Sequence, residues 1–117
     1  MQVMVRFLDA RIPVVFVSGL SEAGAEDALL VEGEGPAPDG MAVARFVVGG
    51  DHALACACCT GRSGAARALS ELFLGRARGQ GAFFKRVCVV SASVEGRDAV
   101  VEALGGDVLA SGWFRTA

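Results

Sequence analysis

Three thiols lie within four residues at Cys56-Ala57-Cys58-Cys59, followed at once by Thr60-Gly61-Arg62. No other stretch of the chain holds so many atoms able to do chemistry. Thiolates are soft ligands that select Zn(II) or Cu(I), and zinc takes four ligands in a tetrahedron. On an extended backbone Cys56 and Cys58 alternate to the same side. Cys59 falls where the chain turns toward a helical run, and a helix amino terminus favours the thiolate form. The fourth ligand is open between His52, the only histidine, a water and a partner side chain. A vacant fourth position suits transfer of the ion, and a filled one suits a structural role. His52 reads first as a solvated loop residue. The bland alternative for the triplet is that of small hydrophobes packed between strand and helix, since free cysteine is among the most buried residue types. Cys88, inside a β-branched run, is assigned that role. With a single histidine and no evident base, a cysteine nucleophile ranks below both readings.

The elements that must position this motif follow from apolar patterning. Ile12 to Val17 is a nearly continuous β-branched run, as expected of a strand buried on both faces of a parallel sheet, and Pro13 at its start is tolerated. Val3 to Leu8 is a shorter apolar segment that either pairs with this strand or forms an arm. Gly19 and Gly24 bound a turn. Ala25 to Val31 reads as a short helix with Glu26 and Asp27 in its first turn. Gly33, Gly35, Pro36, Pro38 and Gly40 mark an exposed loop, and Met41 to Val48 is a second strand. From Arg62 to Arg78, Ala65, Leu69, Leu72 and Phe73 form one stripe at helical period, stopped by Gly79 and Gly81. Val87 to Ala92 is a third buried strand. Arg97 to Leu104 is a second helix, ended by Gly105-Gly106, and Val108 to Phe114 reads as a final strand. Trp113 and Phe114 are assigned to the core or to an oligomer contact. Alternating strands and helices predict an α/β three-layer sandwich with a mostly parallel sheet, in a single domain spanning residues 1–117.

These residues together resemble the CobW-like family of P-loop GTPases. The matching stretches are Ile12 to Leu30, read as strand, glycine loop and helix, and Cys56-Ala57-Cys58-Cys59-Thr60-Gly61-Arg62, which matches the family's C-x-C-C motif. The resemblance implies a P-loop-NTPase-like but truncated fold. It also implies metal binding at Cys56, Cys58 and Cys59, with zinc as the expected ion, and a metal-receiving protein or a CobW-like GTPase as partner. The departures lie in the glycine loop. A phosphate-binding loop uses backbone N–H groups around the phosphates, a Lys to pair with them and a Ser or Thr on magnesium. Here Gly19 and Gly24 keep the separation, but Ala25 and Glu26 replace the Lys and the Ser or Thr. The missing Lys removes a charge-assisted contact of ~1.5–3 kcal/mol. Glu22, Glu26 and Asp27 would repel an anion, and Val90 or Ser91 stands where a magnesium-binding acid would end the later strand. Glu95, several residues onward, is a poor substitute. GTP binding and hydrolysis are therefore not expected, and Gly19 and Gly24 are read as serving a tight strand-to-helix turn that needs residues free of Cβ constraint.

Composition narrows the classes further. The 117 residues are 53% hydrophobic and 21% charged with a net charge of -2, which offers no electrostatic footprint for nucleic acid or an anionic membrane. No apolar run approaches the ~20 residues of a membrane span, and the first residues lack a signal-peptide pattern. A cytoplasmic setting, with the four cysteines reduced, is expected. Open edges of a parallel sheet suggest a homodimer. The alternative to a metal-binding protein is a non-catalytic interaction module with neither metal nor nucleotide.

Overall fold

The computed structural model describes residues 10–48 and 63–117. Strand β1 (Ile12–Phe16) is followed by a 3-10 turn at Leu20–Glu22, β2 (Asp27–Glu32), β3 (Val43–Phe46), α1 (Gly64–Ala77), β4 (Arg86–Val90), α2 (Val94–Gly106), α3 (Val108–Trp113) and β5 (Phe114–Thr116). Among the described residues the strands form one five-stranded sheet in the order β3-β2-β4-β1-β5. Every pairing is parallel, with Val14 opposite Val87, Leu29 opposite Cys88, Leu30 opposite Ala44 and Ile12 opposite Phe114. Among the described residues the architecture is α/β, with an all-parallel sheet and three helices.

Side-chain alternation along each strand divides the interior in two. Ile12, Val14, Ala28, Leu30, Ala44, Phe46, Val87 and Val89 face one way. They pack with Leu69 and Leu72 of α1, Val100 and Leu104 of α2, and Ala110 of α3. Leu29, Val31 and Cys88 face the other way. There they meet Leu20 and Ala23 from the β1–β2 connection and Ala37 and Met41 from the β2–β3 connection. Steps from β1 to β2 and from β2 to β3 run toward one edge of the sheet and pass over this second face. Steps from β3 to β4 and from β4 to β5 run toward the opposite edge and pass over the helical face. Direction and face reverse together, which keeps one handedness throughout, as parallel crossovers require. The reversal places β4 between β2 and β1, so the carboxyl ends of these three strands flank the point where ligands of open parallel sheets are usually bound.

Two expected elements change type. Ala25 to Val31 is no helix: Asp27–Glu32 is the strand β2, buried at every position but the last. A short apolar run buried on both faces has no diagnostic period. The space between Gly24 and Gly33 suits a strand better than a helix of ordinary length. Val108 to Phe114 is no strand: Val108–Trp113 is α3, and β5 begins only at Phe114. Asp107 decides this locally, because its carboxylate accepts from the Ala110 amide at 2.9 Å and caps the helix. Phe114 is fully buried. Trp113 stacks on Phe73 with ring centroids 4.0 Å apart, and Phe114 meets the same ring edge-on at 6.3 Å. The pair therefore belongs to the core.

Helix α1 follows the expected stripe and is closed at both ends. Ser63 Oγ accepts from the Ala66 amide at 3.1 Å. At the far end the Gly79 amide donates to Arg76 O at 3.2 Å and the Gln80 amide to Gly75 O at 2.8 Å, a Schellman closure. Gly79 there has φ +70°, a conformation costing an L-residue about 1–2 kcal/mol. Gly79→Ala should accordingly lower stability by about 1 kcal/mol, seen as a lower denaturant midpoint at constant slope. An unchanged midpoint would mean the helix end does not depend on that turn.

Candidate functional site

Cys56, Cys58, Cys59 and His52 all lie outside the described residues. Their connection leaves the sheet after β3, past Val48, and re-enters at Ser63, the cap of α1. Among the described residues no group of three or more His, Cys, Asp and Glu side chains could hold a metal ion.

The glycine turn is built differently from the expectation. Gly19 has φ -167°, extended backbone open to any residue, and a Cβ there would meet nothing within 4 Å. At Gly24 a Cβ would make an ordinary contact, 3.6 Å from Asp27 Oδ2. Neither position requires glycine. The turn also opens onto a 3-10 segment and then β2, so it presents no α-helix amino terminus to an anion. The acidic residues are dispersed as well. Glu22 stays at the turn, where its carboxylate accepts from the Ser18 amide at 2.9 Å. Glu26 and Asp27 have crossed to the amino edge of the sheet, beside Lys85 and Arg86.

At the carboxyl edge a second carboxylate fills backbone donors. Glu32, the last residue of β2, accepts from the Ala92 amide at 2.7 Å and the Ser93 amide at 3.0 Å, and from Ser93 Oγ at 2.7 Å. Ser93 Oγ in turn accepts from the Gly96 amide at 3.0 Å and caps α2. The helix amino terminus that could face an anion at this edge is thus neutralised from within. Gly96 makes the approach possible, because a Cβ on it would overlap the Glu32 carboxylate. Glu95, in the first turn of the same helix, is exposed. Arg97 lies 4.3 Å above the Phe16 ring at the end of β1.

A second cluster of charged and polar groups sits at the opposite, amino edge. Asp27 and Arg86 are register partners joined by two parallel bonds, Arg86 Nε to Oδ1 at 3.0 Å and a second guanidinium nitrogen to Oδ2 at 2.6 Å. Oδ2 also accepts from the Gly24 amide at 2.7 Å and from Cys88 Sγ at 3.3 Å. The Arg86 bonds outweigh burial and hold the Asp27 carboxyl down at about 2. Burial, reinforced by the neighbouring carboxylate, pushes the Cys88 thiol up to about 11. A thiol held protonated and fully buried is neither nucleophile nor ligand, which agrees with the core role expected of Cys88. In folded protein Cys88 should therefore resist alkylation at neutral pH and react only once denaturant is added, as peptide mass spectrometry would show. Rapid labelling of Cys88 in the native state would contradict the cluster.

Two shallow grooves run between β3 and α1, one of about 310 Å³ against Val43, Leu72 and Gln80, the other of about 210 Å³ against Arg45, Phe46 and Arg67, with Glu71 shared by both. The carbonyls of Ala42 and Phe46 accept from the Leu29 and Gly33 amides at 2.8 Å and 2.8 Å. Alternate residues such as Val43 and Arg45 therefore turn their backbone groups to the outer edge. Arg45 lies across this edge, donating to Gly35 O at 2.7 Å.

The Asp27–Arg86 pair and the Glu32 cap were not anticipated from sequence. Gly96, just ahead of the expected Arg97 to Leu104 helix and three residues after Ser93, was the local sign of the second. No helix among the described residues is long and apolar enough to cross a membrane. Comparison with family models, curated proteins and solved structures finds no match to the chain.

Proposed function

We propose that this chain is a CobW-like, non-hydrolysing metal-binding protein that holds zinc through Cys56, Cys58 and Cys59 and hands it to a receiving protein. The observation that carries this reading is the Cys-x-Cys-Cys spacing, set in the connection between the carboxyl side of β3 and the capped start of α1. Thiolates at that spacing suit a soft cation, and His52 or a group from the partner would complete the ligand set. The finer fold reading, a truncated three-layer sandwich of P-loop-NTPase type, belongs to the same proposal. Its support is the all-parallel sheet with connections over both faces. The glycine turn lends it none, since a strand rather than a helix follows.

The absence of hydrolysis is supported on two sides. Ala25 and Glu26 occupy the positions of the phosphate-binding Lys and the magnesium-binding hydroxyl. The backbone donors of Ser18, Ala92 and Ser93 at the carboxyl edge already serve Glu22 and Glu32. A cytoplasmic setting, where thiols stay reduced and available to the metal, and a homodimer formed at an open sheet edge complete the proposal.

A second reading is favoured by the grooves beside β3: a non-catalytic module whose β3 edge, unpaired among the described residues, meets a partner as an added strand. Metal content separates the two. Protein purified without chelator should carry about one zinc per chain by elemental analysis if the cysteines bind it. Metal-free protein that remains folded would favour the interaction module.

A further inference from the structure

We draw no further inference here: the strongest candidate, the pair of grooves between the outer edge of β3 and helix α1, is an unpartnered surface, and nothing among the described residues shows what covers it.

Discussion

Asp27→Ala should lower stability at neutral pH by about 2–3 kcal/mol, with most of that difference vanishing in acid. Asp27 is only 8% exposed and anchors three partners: Arg86 through two bonds, the Gly24 amide and the Cys88 thiol. Removing the carboxylate unties the β1–β2 connection from β2 and leaves the Cys88 thiol without its acceptor. Arg86 is 41% exposed in its side chain and can recover water, which keeps the loss below that of a fully buried pair. The pH dependence follows from the depressed carboxyl. Asp27 titrates at about 2 in the folded chain against 3.8 ordinarily, a difference equivalent to roughly 2 kcal/mol. That contribution is complete above pH 3.8 and is lost as pH falls through about 2. Denaturant unfolding of wild type and Asp27→Ala should therefore give curves that are far apart at pH 7 and converge between pH 4 and pH 2. A gap that stays constant across that window would remove the ion pair from the account.

The second large effect is a change of sign. In the wild-type chain Gly96→Ala should destabilise by about 1–3 kcal/mol, because the new methyl displaces the Glu32 carboxylate from its donors on Ala92 and Ser93. Glu32→Ala alone should cost about 2–3 kcal/mol through the loss of these charge-assisted bonds. In the Glu32→Ala background the obstruction is gone. Alanine inside α2 then gains up to about 1 kcal/mol over glycine from helix propensity alone. The double-mutant cycle should thus show strong coupling, with Gly96→Ala harmful in one background and neutral or helpful in the other. Equal costs in both backgrounds would mean that Glu32 does not hold the end of α2.

These two sites mark where sequence reading reached its limit. Strands β1 and β4 were legible as continuous β-branched runs, β3 as an apolar run between glycine-rich loops, and helices α1 and α2 by their apolar stripes and their stops, Gly79 and Gly81 after α1 and Gly105-Gly106 at the end of α2. Strand β2 was misread because Ala28-Leu29-Leu30-Val31 is buried on both sides and has no period, while Glu26 and Asp27 imitate the first turn of a helix. Helix α3 was missed because its six residues are too short to show a period and only Ala110 is buried; the signal was the Asp107 cap. Asp27 finds Arg86 59 residues away and Glu32 finds Ser93 61 residues away, separations set by the crossover of a parallel sheet, which no local pattern encodes. Gly19 and Gly24 illustrate the opposite error. Two glycines at a suggestive spacing were assigned a conformational duty that their backbone angles and surroundings do not impose. The cysteine motif stands on spacing and ligand chemistry.

Metal stoichiometry compared between wild type and Cys58→Ser tests the central claim most directly. Both proteins would be purified without chelator, checked for equal secondary structure, and assayed for zinc by elemental analysis. About one zinc per wild-type chain, falling to near zero in folded Cys58→Ser, is the predicted result. Equal zinc in both proteins, or none in folded wild type even after zinc is supplied, would contradict it.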